Sequence, residues 1–150
     1  MASRRRRSRT PSAANYAQRD ARRLASLVFF IDRNLGRNII APQLLAAGAK
    51  VELHDDHFDQ NMPDPDWLAI AGERGWVVLT RDKYIRRNPL ERAAFERAGV
   101  RGFVLTGGGS IPEDAALLVR CLPGMARRVA ERPGPLLFAI SRGGVFSRLL

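Results

Sequence analysis

Along the chain, short unbroken apolar runs alternate with stretches whose apolar residues recur at helical spacing. The runs stand at Leu27 to Ile31 (LVFFI), Val51 to Leu53, Trp76 to Thr80 (WVVLT), Phe103 to Thr106 and Leu136 to Ile140 (LLFAI). Brief runs of β-branched and aromatic residues bounded by turn formers predict buried strands. Between them, Arg37 to Ala47 predicts a helix interrupted at Pro42 and stopped by Gly48. Trp67, Leu68, Ile70 and Ala71 form the apolar stripe of a second helix, with Asp64 placed to cap it, Pro65 at its first position and Gly72 to Gly75 at its end. A third helix starts at Asn88 with Pro89 in its first turn. A fourth follows the loop GGGS, where Ser110 and Glu113 have capping-box spacing, and runs to about Arg132. The tail SRGGVFSRLL reads as a short terminal hairpin. Strands and helices in alternation require βαβ crossovers, so the pattern predicts an α/β fold whose mostly parallel sheet is covered on both faces.

Composition refines this to one domain, residues 25 to 150, preceded by an arm. At 150 residues the chain is large enough to bury a core without disulfide or metal staples. The formal net charge is +10, which points to a polyanionic partner. The charge is uneven. Residues 1 to 24 hold eight arginines against the single Asp20, net +7, and the body holds the remaining +3. That segment has almost no large apolar residue, so a basic, disordered arm is expected. The run Leu27 to Ile31 is too short for a secretory signal and ends at Asp32, and no stretch approaches the length of a membrane span. The lone Cys121 excludes an internal disulfide and fits a reducing, cytoplasmic setting.

The topology makes a geometric prediction about the acids. Right-handed crossovers point all parallel strands one way, so a residue just after a strand lies on the carboxyl edge, where α/β proteins bind ligands. Asp32 directly follows LVFFI, and Asp82 follows WVVLT by one residue. Asp66, in the first turn of the helix that feeds back toward WVVLT, is within reach of the same crevice. Taken singly, Asp66 has a plainer role beside a helix N-terminus, and Asp32 and Asp82 have one as turn formers. Together they suggest three converging carboxylates, which would raise one another's pKa unless a cation lay between them. Magnesium suits such an open, all-oxygen cluster beside a basic surface.

The segments FFIDRNLG and DPDWLAIAGERGWVVLTRDK resemble the PIN-like nucleases. The match is to a bacterial branch with D-x-N after the first strand, an acid opening the second or third helix, and T-[RK]-D-K after the next strand. The resemblance covers about residues 27 to 105. It implies a three-layer α/β/α sandwich in which acids hold Mg2+ or Mn2+ for RNA cleavage. The branch includes VapC-type toxins, so it also implies a cognate antitoxin and a homodimer. By position, Asp32, Asp66 and Asp82 match the metal-site acids, and Asn34 matches the polar residue two after the first. Many relatives carry a further acid where this chain has Tyr84. Asp64, Asp55 and Asp56 are the candidates to replace it. The implied chemistry is metal-assisted phosphodiester hydrolysis. Arg81, Lys83, Arg86 and Arg87 flank Asp82 and are placed to hold phosphates, and Tyr84 to stack a base. A solvated loop and a packed aromatic are the plainer alternatives.

Other groupings carry less. His54 and His57 beside Asp55 and Asp56 are a weak zinc signal. TGGGS lacks the lysine of a phosphate-binding loop, and Ser110 reads as a cap; Glu91 likewise reads as a cap partner of the helix at Asn88. Three functional readings therefore stand. The first is a metal-dependent ribonuclease toxin, which Asp32→Asn would silence. The second is a phosphohydrolase or phosphoacceptor domain with Asp32 as nucleophile, against which Asn34 speaks. The third is a non-catalytic RNA-binding or regulatory module, indifferent to EDTA.

Overall fold

The computed structural model describes residues 12–82 and 84–150. Six strands form one sheet: β1 (Val28–Ile31), β2 (Lys50–Leu53), β3 (Val77–Arg81), β4 (Arg101–Leu105), β5 (Leu136–Ile140) and β6 (Phe146–Arg148). Their order is β2-β1-β3-β4-β5-β6. The first five are parallel, and β6 folds back antiparallel on β5, as the terminal hairpin predicted. Successive side chains leave a strand on opposite faces, so the continuous apolar runs feed two cores. Phe29, Ile31, Val77, Leu79, Phe103 and Leu105 enter one, and Phe30, Val78, Val104 and Leu137 enter the other.

Helices α1 (Ala13–Ala25), α2 (Ile40–Ala46) and α6 (Ile111–Glu131) cover the first face, through Leu24, Leu44, Leu118, Leu122 and Met125. Helices α4 (Asp64–Glu73) and α5 (Pro89–Ala98) cover the second, through Trp67, Leu68, Ala71 and Phe95. The result is the expected three-layer α/β/α sandwich. One further turn, α3 (His54–His57), follows β2 directly. Helices α4 and α5 touch closely at Gly72, where a side-chain carbon would run into the carbonyl of Ala98.

The arm expected over residues 1 to 24 is corrected in part. Residues 1 to 11 lie outside the described set, but from Ser12 onward the chain is helical. Ser12 caps α1 by accepting from the Asn15 backbone N–H, and five alanines lower the entropy cost of the helix. Burial of Leu24 and an Asp20 carboxylate 3.8 Å from Arg127 anchor α1 on α6. Low apolar content alone does not keep a segment unfolded when strong helix formers have a neighbouring helix to lie on.

The strand order places a topological switch between β1 and β3. From β1 the chain steps outward to β2, then crosses to the other side of β1 to make β3. Crossover helices therefore leave these two strands in opposite directions and open a crevice at their carboxyl ends.

Candidate active site

Asp32 and Asp82 follow those two strands. Asp32 stands on the last hydrogen bond of the β1–β3 ladder, its N–H donating to Leu79 O at 3.0 Å. Its carboxylate is held at both oxygens: the Arg33 N–H donates to Oδ1 and the Thr80 hydroxyl to Oδ2, each at 2.7 Å. Burial pushes this carboxyl above its ordinary range, against the lowering effect of those two donors; the Asp64 charge adds to the rise. Asp82 donates its own N–H to Leu105 O, and its Oδ1 accepts from the Tyr84 N–H at 2.7 Å, closing a tight turn after β3.

Asn34 links the two strand ends. Its amide donates to Arg81 O at 2.7 Å and to Thr80 Oγ1 at 3.1 Å, and its carbonyl accepts from Arg81 N–H at 3.2 Å. Expected as a nucleic-acid contact, this side chain ties the turn after β1 to the end of β3, beside Asp32 and Asp82.

A cavity of about 420 Å³ opens over these residues, and Asp32, Asp64, Asp82 and Glu91 all line it. The expected convergence of Asp66 is not found. Both Asp64 and Asp66 are exposed, but Asp66 does not line the cavity; Asp64, two residues earlier, does, and accepts from the Trp67 indole N–H at 2.9 Å. The helix begins at Asp64 with Pro63 as its cap residue, so Asp64 is its first residue rather than its cap. On a helix two residues are about 200° apart, and the buried Trp67–Leu68–Ala71 face turns Asp64 toward the crevice. Glu91 also departs from its expected role. The cap of α5 is Asn88, which accepts from the Leu90 and Glu91 N–H groups, while the Glu91 carboxyl hydrogen-bonds Asp82. That bond, burial and the charges of Asp82 and Asp64 push Glu91 up to about 7. No signal in the sequence separates this role from capping, because both use an acid in the first turn.

The other candidates disperse. Asp55 pairs with Arg33 at 2.9 Å and Asp56 with Arg37 at 3.1 Å. His54 is buried against the rings of Phe30, Phe58 and Trp67, whereas His57 pairs with Glu52 at 2.7 Å, so the two histidines do not make a shared zinc site. Arg81 lines the cavity but bonds Gly109 O at 2.6 Å. Arg86 and Arg87 are exposed in the short 3-10 turn after β3, Tyr84 is exposed beside them, and Lys83 lies outside the described residues. Among the described residues, no group of three or more His, Cys, Asp or Glu side chains is gathered tightly enough to hold a metal ion as it stands. The acids line the cavity's walls instead. No helix among the described residues is long and apolar enough to cross a membrane.

Comparison with known proteins identifies the family. Residues 27–107 match the family described as PIN like domain. The chain is 34% identical over 117 residues to a Mycobacterium tuberculosis protein named "Putative ribonuclease VapC45", a match covering 74% of this chain and 83% of that one. No solved structure matches it significantly. A crevice at the switch between β1 and β3, lined by strand-end acids and set in a sandwich of this order, is thus joined to a family match across it: the chain belongs to the PIN-like domain family.

Proposed function

We propose that this chain is a metal-dependent endoribonuclease and the toxin of a toxin–antitoxin pair. The observation that carries the reading is the placement of Asp32, Asp64, Asp82 and Glu91 around one cavity. The relative's name supports RNA as substrate, and the resemblance to VapC-type toxins supports an antitoxin as partner.

The donor set fits a hard divalent cation in its chemistry. It is all oxygen, and two of its carboxyls, Asp32 and Glu91, are held above their ordinary pKa by burial and by acidic neighbours. A cation relieves that excess negative charge. Asp32, Asp64, Asp82 and Glu91 would hold Mg2+ or Mn2+, which when bound acidifies water and offsets charge on the phosphate. The remaining work falls to the chain. Thr80 and the Arg33 N–H fix the orientation of Asp32, and Asn34 holds the β3 end in register with it. Glu91, hydrogen-bonded to Asp82, holds its proton up to about 7. Arg86, Arg87 and Lys83 contact the RNA backbone, and Tyr84 offers a ring to an unpaired base; such contacts give affinity without sequence choice.

The test is cleavage of end-labelled single-stranded RNA by the purified chain in Mn2+ or Mg2+ and in EDTA, alongside Asp32→Asn. Cutting that stops in EDTA and in the variant supports the proposal. Cutting that persists in EDTA removes the metal from it, and a wild-type chain that binds RNA without cutting points to a non-catalytic module.

A further inference from the structure

The loop between β4 and α6 meets the same edge of the sheet, and a buried charge cluster outside the proposed chemistry holds it there. Asp114, in the first turn of α6, is fully buried. Its Oδ1 lies 2.7 Å from Nη2 of Arg142 and its Oδ2 lies 3.6 Å from Nη1 of Arg81. Each guanidinium also grips the loop. Arg81 donates to Gly109 O at 2.6 Å, and Arg142 donates from Nε to Thr106 O at 3.3 Å. A side-chain carbon at 109 would strike the Arg142 guanidinium, so a larger residue there would push that arginine out of its place.

Such a cluster is a poor device for stability. Desolvating a carboxylate offsets most of its attraction to its partners, and among the described residues no aligned hydrogen bond closes on either Asp114 oxygen. What it does produce is rigid positive charge. Two guanidiniums against one carboxylate leave one net charge, and each arginine side chain stays 30% exposed. Beside it lies a second cleft of about 370 Å³, bounded by Arg81, Asp82, Gly107 and Gly108. Arg81 and Asp82 also line the acid cavity, so the two hollows share a wall. An anion in this cleft would meet the Arg81 guanidinium and the bare backbone of Gly107 and Gly108, with the Asp82 carboxylate bounding it on the side shared with the acid cavity.

We propose that the second cleft seats the phosphate next to the scissile one, with Arg81 in its wall and Arg142 packed against Gly107 behind it supplying the charge, and Asp114 acting as the positioning residue for both. The identity of the strand as substrate rests on the nuclease reading; the binding of its phosphate does not. The test is therefore made without metal, on the full chain in EDTA, by fluorescence anisotropy of a labelled single-stranded RNA across a range of salt. Arg142→Gln is expected to weaken binding about tenfold and to flatten the log–log salt slope by about 0.7, the value of one phosphate contact on a single strand. Arg142→Lys should restore the slope. In an Asp114→Asn background, where the arginines are no longer held, the further change Arg142→Gln should cost less than about twofold. Wild-type binding without cleavage in Mn2+ would overturn the nuclease reading and still support the seat. A wild-type slope in Arg142→Gln, whatever its thermal stability, overturns the seat, as does a wild-type chain that fails to bind RNA.

Discussion

The carboxyl of Glu91, on α5, hydrogen-bonds the carboxyl of Asp82 at the end of β3, so two acids that arrive on different elements meet at one wall of the cavity. Folding raises Glu91 from an ordinary 4.5 to about 7. The folded state favours the protonated form, so the stability it contributes is fully present below about 4.5 and is lost as pH rises through about 7. Asp32, also raised, acts in the same direction. The metal-free thermal midpoint should fall across this window and added Mn2+ should recover most at its upper end. Melts at several pH values check this; Glu91→Gln should flatten the profile, and a flat wild-type profile contradicts the raised Glu91 carboxyl.

Asp64 and Asp66 separate the two ways of reading α4. Asp64→Asn and Asp32→Asn should each lower RNA cleavage by on the order of a hundredfold or more, while Asp66→Asn stays within about threefold of wild type. Initial rates on labelled RNA, with circular dichroism to confirm folding, decide between them. Strong loss at Asp66 with none at Asp64 would reverse the assignment.

Thr80 holds Asp32 through one hydroxyl. Thr80→Val keeps the shape and removes the donor at 2.7 Å. Cleavage should drop roughly tenfold to a hundredfold, as for other groups that orient a metal ligand. Stability should fall by only about 1 kcal/mol. Paired kinetic and denaturant measurements test the split; a stability loss with unchanged cleavage would make the contact purely structural.

Gly72 governs how closely α4 approaches α5, and hence how Asp64 and Glu91 face each other across the cavity. Gly72→Ala places a carbon against the Ala98 carbonyl. It should destabilise the fold by about 1–3 kcal/mol and weaken Mn2+ binding, measured by calorimetry. Wild-type values for both would mean that the helices can shift freely.

Much of the architecture was readable in the sequence because its signals are local. Apolar runs ending in Asp32 and just before Asp82, together with the fixed hand of βαβ crossovers, placed both acids on one edge without any knowledge of contacts. The caps at Ser110 and Asn88 and the hairpin at the end were equally local. Tertiary structure decided the rest. Asp64 and Asp66 are indistinguishable as acids in a first turn, and only the docking of Trp67 and Leu68 on the sheet selected the rotation that faces Asp64 inward. Glu91 looked like a cap partner until α5 packed against α4 and brought it to Asp82. Asp114, Arg81 and Arg142, far apart in sequence, meet only because β3, β4 and β5 lie side by side. Helix α1 formed on α6 where composition alone argued for a free arm. Periodicity fixes which residues share an element, but the rotation of a helix about its own axis is set by the surface it packs on, and that rotation determined which acids share the cavity.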